Sequence, residues 1–304
     1  MKYDRRTAKI ARYIPIVAAS TAPISIQVAL TDACFNRCIG CGHPQRQQKT
    51  MRAEEWLGFL SSLSGVESVC YSGGDPMAYR QFNVVMSWHI EHSLPFGATI
   101  TGYVPPYIDT MLLSRAAWVR VSLDAVDEAL YERVRGKTPL FKVFDGIDKM
   151  LAAGVHVGLG ITLHPENEAH YPEVLRWAEG RGITDIDARY AYPASNPAWP
   201  DASLDARGVM PFNRCAAALY QMYIDSDGSA YPCCVTAGDT RSAAQGAALG
   251  NVLTESWASV WAAARSYSQV TRDKLPEICR TSCVQRLSEI NYIAEQAPAG
   301  QSFF

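Results

Sequence analysis

Cys34, Cys38 and Cys41 stand in the run Thr-Asp-Ala-Cys-Phe-Asn-Arg-Cys-Ile-Gly-Cys-Gly-His-Pro, with three and then two residues between them. Such gaps let one loop turn three thiolates toward one inorganic centre, and soft sulfur ligands select iron–sulfur clusters or zinc over hard cations. Two centres fit the loop. A [4Fe–4S] cubane held by three cysteines keeps one iron open to an outside ligand. Structural zinc wants a fourth protein ligand, and His43 offers one for a Cys3His knuckle. A second set lies far downstream in Cys215, Cys233, Cys279 and Cys283. Twelve residues separate Cys215 from Gly228, four more precede Cys233, and three lie inside the closing pair. Four thiolates enclose one centre completely, again a cluster or a zinc ribbon. Cys70 and Cys234 are left over. Within an apolar stretch, Cys70 reads as a small hydrophobe packed in the core. Cys234 reads as a buried hairpin residue, the alternative being a ligand in place of Cys233.

These residues need a scaffold. From residue 24 to about 190, short β-branched apolar runs alternate with amphipathic stretches, the βα signature of a parallel sheet or barrel. The pattern predicts strands near 25–30, 66–71, 97–101, 118–123, 155–162 and 184–189. It predicts helices near 53–63, 80–92, 107–114, 127–135, 141–153 and 171–181. Six such units make an α/β fold, a partial (β/α)6 TIM-like barrel short of the complete eightfold one. The Cys34 run follows the first strand and Ser72-Gly73-Gly74-Asp75-Pro76 the second, at the C-terminal strand ends where ligands gather in such sheets. Tyr192 to Met210, with Pro193, Pro197 and Pro200, breaks the periodicity as a linker or lid. Beyond it a β-hairpin is expected from 220–224 and 229–235 around the turn Asp225-Ser226-Asp227-Gly228, and a helix near 255–267. The domain reading is a barrel at 1–191, a linker or lid at 192–211 and a small cysteine module at 212–304.

Composition narrows the class. A chain of 304 residues with 48% apolar content buries a sizeable core. A net charge of -2 without Lys/Arg blocks gives no electrostatic footprint for nucleic acid or an anionic membrane. No stretch reaches a membrane-spanning length of apolar residues. The start of the chain mimics a signal peptide, but Arg12 and Pro15 break its apolar part. Nine cysteines in a chain of this size read as metal-binding or catalytic in a reducing cytoplasm.

The Cys-x3-Cys-x2-Cys run after a first strand, with Phe35 and Asn36 inside it, resembles the cluster loop of the radical S-adenosylmethionine (SAM) superfamily. Gly73-Gly74-Asp75-Pro76 resembles the family's Gly-Gly-Glu-Pro segment with Asp in place of Glu, and Val119-Arg120-Val121-Ser122-Leu123-Asp124 its Ser-Leu-Asp strand. Cys215, Gly228 and Cys233, then Gly250-Asn251-Val252 and a helix with Trp257 and Trp261, resemble the C-terminal SPASM-like auxiliary-cluster module. With four cysteines rather than seven, it is similar to the shortened twitch form of the 2-deoxy-scyllo-inosamine dehydrogenase type.

The resemblance implies a [4Fe–4S] cluster on Cys34, Cys38 and Cys41 that binds SAM, and one auxiliary [4Fe–4S] cluster on Cys215, Cys233, Cys279 and Cys283. It places Gly73, Gly74, Asp75 and Pro76 at the SAM amino group. Thr101, Ser122, Asp124, Thr162, Asn167, Arg189 and Tyr190 then line the strand ends around SAM. It implies reductive cleavage of SAM to a 5'-deoxyadenosyl radical and hydrogen abstraction from a small polar substrate, with an electron donor such as flavodoxin or ferredoxin. The first expectation is an oxidation with the auxiliary cluster as electron acceptor. A redox-neutral epimerase or isomerase of a sugar, cyclitol or nucleotide would use Cys70 or Cys234 as hydrogen donor, with His164 and Arg189 as further catalytic candidates. A ribosomal-peptide maturase and a non-catalytic zinc protein complete the alternatives.

Overall fold

The structure, a computed structural model, describes residues 17, 19–41, 49–191, 211–238, 247–281, 283 and 285–295. His43 and the expected linker, with Trp199, lie outside the described residues. Two compact units divide the chain, one formed by Val28–Leu57 with Ser68–Asp201, the other by Met1–Gln27, Gly58–Glu67 and Ala202–Phe304. Strand β1 (Ser25–Ala29) and helix α1 (Ala53–Ser61) cross that division.

In the first unit β2 (Ser68–Ser72), β3 (Phe96–Ile100), β4 (Trp118–Ser122), β5 (Val157–Leu163) and β6 (Ile186–Tyr190) pair in parallel in that order, and β1 precedes β2 in the sheet. Between them run α2 (Phe82–Glu91), α3 (Thr110–Leu113), α4 (Glu128–Arg135), α5 (Leu140–Ala152) and α6 (Tyr171–Glu179). Strand periodicity sorts the side chains. On β2 and β4, Val69, Tyr71, Val119 and Val121 are buried, while Ser68, Cys70, Ser72, Trp118, Arg120 and Ser122 are half-buried on the opposite face. Tyr71 shows what the first face meets. Its hydroxyl accepts from Trp56 Nε1 of α1 at 3.0 Å and bonds His89 Nε2 of α2 at 2.6 Å, and its ring packs edge-on to Phe82. Burial holds His89 down at about 4, so it is neutral in this core.

The expected strands and helices fall within a few residues of the observed ones. Helix α4 shows why its ends are where they are. Asp127 caps it by accepting from Leu130 N at 2.9 Å, and Gly136 at φ +79° stops it.

The second unit holds α7 (Ala217–Tyr220), β7 (Gln221–Ile224), β8 (Ser229–Tyr231), α8 (Cys234–Gly238), β9 (Gly250–Asn251), α9 (Trp257–Ser268), α10 (Glu277–Thr281) and α11 (Gln285–Glu295). The expected hairpin forms, with β7 and β8 antiparallel and Gly228 at φ +84° donating to Asp225 O. Its second arm is shorter than expected: it ends at Tyr231, because Pro232 has no N–H to donate and the chain turns into α8. The sequence also gave no sign of β9, which pairs antiparallel with β8. On α9, Trp257 and Trp261 stack at 5.8 Å and donate to Thr21 O and Ser20 O.

Candidate functional site

The loop carrying Cys34, Cys38 and Cys41 leaves β1 and is held by the helix that follows β4. Arg37 N donates to Arg135 O and Ile39 N to Val134 O, each at 3.1 Å, so the loop backbone satisfies carbonyls at the C-terminus of α4. Asn36, fully buried, is the tie between them. Its Nδ2 donates to Tyr131 OH at 3.1 Å and its Oδ1 accepts from Thr138 N at 3.1 Å, while Thr138 Oγ1 donates to Phe35 O. Phe35 also meets Tyr103 edge-on at 4.9 Å, which gives the Tyr after Thr101-Gly102 a role in supporting the loop.

Arg135 brings a buried charge to this loop. Its Nη1 pairs with Asp124 Oδ2 at 3.0 Å, and both side chains are nearly sealed from solvent. Burial works against the guanidinium's charge, but Cys38, Asp124, Tyr131 and Cys34 together hold it protonated.

The Gly-Gly turn after β2 abuts the chain entering the cysteine loop. Gly74 N donates to Thr31 O at 3.0 Å and Asp75 N to Ala33 O at 2.7 Å. A Cβ on Gly74 would stand 2.0 Å from Ala33 O, and one on Gly73, at φ +99°, 2.2 Å from Ala29 Cβ. The glycines are therefore required by a backbone-to-backbone approach between two strand ends, where the sequence suggested an approach to a ligand.

Asp75 is fully buried and already engaged. Oδ1 accepts from Met77 N at 2.9 Å, which caps a short 3-10 turn at Pro76–Ala78, and Oδ2 accepts from Thr101 N and Thr101 Oγ1. Burial pushes its carboxyl up to about 6. Asp75 thus braces the ends of β2 and β3.

Two other expected cofactor contacts also work as braces. Asp124 receives Thr162 N at 2.8 Å on Oδ1 and Arg135 on Oδ2. Asn167, wholly buried, donates to Asp124 O and Thr162 O and accepts from His164 N, so its amide ties the loop after β4 to the end of β5. Ser122 and Thr162 are half-buried at the strand ends. Arg189 and Tyr190 are exposed on β6, and Tyr190 donates to Glu168 Oε1 at 2.7 Å. His164 is buried, and burial pulls its pKa down.

The half-buried face of the sheet carries chemistry that motif reading missed. Arg120 pairs with Asp187 at 3.0 Å and approaches Asp185 at 3.8 Å, reaching across β5 where Gly158 and Gly160 have no side chains. Trp118 lies over Gly97 in the same way, since a Cβ there would stand 2.3 Å from the indole. Cys70 pairs with Gly97 in register and is half-buried on this polar face. Core packing is therefore the wrong reading of Cys70. The signal was in the sequence as Ser68, Cys70 and Ser72 on one parity and Val69 and Tyr71 on the other.

The four downstream cysteines all lie in the second unit, within electrostatic reach of one another, though not drawn into a preformed metal-holding group among the described residues. Cys215 precedes α7, Cys233 precedes α8, Cys279 lies on α10 and Cys283 before α11. Burial pushes the Cys283 thiol well up, and Cys215, Cys233 and Cys279 push it further. Cys215 rises to about 11 for the same first reason. A partly buried set of soft donors that repel one another as anions suits a multi-iron centre that would supply the missing positive charge. Cys234 is half-exposed at the start of α8, rather than buried in the hairpin.

Comparison with known proteins agrees with these two sites. Residues 28–178 match the model of the radical SAM superfamily, and residues 215–284 match that of an iron–sulfur cluster-binding domain, SPASM. The chain is 28% identical over 171 residues to a GTP 3',8-cyclase of Sinorhizobium medicae (strain WSM419), a match covering 52% of this chain and 49% of that one. The same enzyme of Mesorhizobium japonicum is also 28% identical, over 52% of each chain. The chain spans about half the length of the curated relatives it matches.

Among solved structures, SuiB of Streptococcus suis bound to S-adenosylmethionine superposes with a TM-score of 0.66 at 14% identity, over 97% of this chain and 79% of that one. Native anSMEcpe with bound AdoMet gives 0.62 at 15% identity, over 88% of each. These likenesses establish the fold, an open partial barrel. The cofactors are [4Fe–4S] clusters and S-adenosylmethionine, and the chain belongs to the radical SAM superfamily, with a SPASM-like iron–sulfur module in its C-terminal part.

Proposed function

We propose that the protein catalyses a SAM-dependent oxidation of a small polar substrate, with the barrel at 1–191 holding the reaction and the module at 212–304 receiving an electron. The observation that carries this reading is a second cysteine set, in which Cys215, Cys233 and Cys279 lie near enough to Cys283 to raise its thiol electrostatically. One SAM-binding cluster suffices to start the chemistry. A second centre would give the substrate's electron an acceptor.

In this reading Cys34, Cys38 and Cys41 would hold the first cluster, and three ligands rather than four would leave it able to bind SAM. The bound cofactors supply one-electron reduction of the SAM sulfonium and, from it, abstraction of a hydrogen atom from carbon. Low-potential electrons for that reduction come from a flavodoxin- or ferredoxin-type donor. The protein's part is placement. An ammonium donates hydrogen bonds, so the carbonyls of Gly73 and Gly74 are the groups that suit the SAM amino end, with Asp75 supplying charge from behind. Ser122 and Thr162 reach the same rim. Arg120, Asp187 and Trp118, on the half-buried face of the sheet, orient a polar substrate and exclude water around it. A cluster held by Cys215, Cys233, Cys279 and Cys283 would supply a one-electron acceptor, so that loss of that electron and of a proton to solvent would complete a two-electron oxidation of the substrate.

A redox-neutral epimerisation is favoured by one observation, the half-buried position of Cys70 on that same face. The two separate on one variant. If Cys70→Ser keeps deoxyadenosine formation and iron content but abolishes product, the thiol returns hydrogen and the oxidative reading fails.

The broader test is made on anaerobically reconstituted protein, measuring iron, sulfide and zinc per chain with dithionite-dependent release of 5'-deoxyadenosine. About eight iron with deoxyadenosine release is expected. Two zinc and no SAM cleavage would end the enzyme reading.

A further inference from the structure

Two side chains in the second unit point hydrogen-bond donors at the sulfurs of the four-cysteine set. Tyr267, on the last turn of α9 and buried, places its hydroxyl 3.4 Å from Cys279 Sγ. Asn291, on α11 and fully buried, places Nδ2 3.7 Å from Cys215 Sγ. The orientation of the Asn291 amide is fixed independently. Ala216 N donates to its Oδ1 at 2.7 Å, so the oxygen is taken and the NH2 group must face the sulfur. A thiolate bound to iron has no proton to give, so Tyr267 donates as well. Thr236 behaves differently. Its Oγ1 is 3.8 Å from Cys233 Sγ, but its single proton goes to Cys233 O at 2.9 Å.

We propose that Tyr267 and Asn291 are positioning residues that set the auxiliary cluster's potential upward by donating hydrogen bonds to Cys279 and Cys215. The physics is that of a donor near a sulfur ligand. Reduction adds negative charge to the cluster and its sulfurs, and a fixed N–H or O–H dipole aimed at that charge stabilises the reduced form more than the oxidised one. In a buried site water does not replace a lost donor, so the effect is not averaged away. A raised potential makes the centre a better acceptor of the electron that leaves the substrate. The inference rests on the oxidative reading for its purpose, but the effect on potential does not depend on the substrate.

The test is potentiometric titration of the reconstituted holoenzyme, followed by electron paramagnetic resonance. The auxiliary wave is assigned as the one that survives in the full-length Cys34→Ala, Cys38→Ala, Cys41→Ala chain. Tyr267→Phe removes only the hydroxyl. Asn291→Asp keeps the acceptor for Ala216 N and removes the donor to Cys215. Each is expected to weaken the reduction equilibrium of the auxiliary wave about tenfold, a fall of about 59 mV for one electron, and to leave the other wave in place. A further readout needs no variant: pulsed resonance of the reduced wild-type cluster in H2O and D2O should show exchangeable protons coupled to it. Unchanged potentials in both variants at full iron loading, or no exchangeable coupling in the wild type, would overturn the inference and leave the oxidation standing. Zinc in the site in place of iron would overturn both.

Discussion

The cysteine loop should depend on Asn36 more than on any other non-ligand in it. Asn36 is fully buried and bridges Tyr131 OH and Thr138 N, both at 3.1 Å, so Asn36→Ala strands a donor on Thr138 and a partner on Tyr131. A buried polar group left unpaired costs about 1–3 kcal/mol, which puts the variant about 2–5 kcal/mol below wild type once the small loss of packing is included. Tyr131→Phe removes one of the same bonds and strands only Asn36 Nδ2, at about 1–3 kcal/mol. Because the two share a bond, the double variant should cost about 1 kcal/mol less than the two singles added together. Urea unfolding of the reduced, metal-free protein, with transitions compared by circular dichroism and tryptophan fluorescence, gives all four corners of the cycle. Iron retention after reconstitution should fall in the same order. Strict additivity, or an Asn36→Ala protein as stable as wild type, would mean that the loop is held by its backbone bonds to α4 and that the buried amide is idle.

Other perturbations separate the remaining roles. Asp75 has a folded carboxyl raised to about 6 from 3.8, so its contribution to stability is fully present below about pH 4 and lost as pH rises to about 6. The stability of wild type minus Asp75→Asn, measured by urea unfolding of metal-free protein from pH 4 to 8, should therefore decline by about 3 kcal/mol and level off above pH 6; a difference that grows with pH refutes the assignment. Gly74→Ala forces a methyl onto Ala33 O at 2.0 Å, and calorimetry should show destabilisation of at least about 1–3 kcal/mol with weakened SAM binding. Cys233→Ser should lose about four iron per chain and Cys234→Ser none, by iron assay of reconstituted protein. Asp187→Asn, which neutralises the partner of Arg120 at 3.0 Å, should keep deoxyadenosine release while product per deoxyadenosine falls, and coupled loss of both would remove Arg120 and Asp187 from substrate binding.

The barrel was legible because hydrophobic period two and period 3.6 alternate cleanly along residues 24–190, and the two cysteine sets because thiols at those spacings have few other uses. What the sequence hid was the direction of side chains at the strand ends. Asp75, Asp124 and Asn167 all have the chemistry of a ligand contact, and each also spends hydrogen-bonding groups on backbone or side chains of the neighbouring strand ends. The reason is geometric. Parallel strands end in loops whose backbone groups have left the sheet's ladder, and a buried carboxylate or amide is the shortest way to pair them. Partners far apart in sequence, such as Asn36 with Tyr131 or Arg120 with Asp187, leave no local pattern to find.

On the proposed function, the same geometry would write substrate choice in a different alphabet from cofactor choice. The proposed cofactor side of the barrel is specified by backbone: Gly73 and Gly74 are fixed by the approach of Ala29 and Ala33, and the cysteine loop by carbonyls at the end of α4. Backbone constraints tolerate little change of residue type, so they surface as motifs. The half-buried face of the sheet is specified by what is missing. Gly97, Gly158 and Gly160 leave room, which Trp118, Asp185 and Arg120 occupy respectively. A larger residue at Gly160 would meet Arg120 Cδ at 3.1 Å and displace the guanidinium from Asp187 without disturbing any cluster ligand. Exchange of glycine for side chain at these three positions is thus a route by which one barrel can accept a different polar substrate while its cofactor chemistry stays fixed.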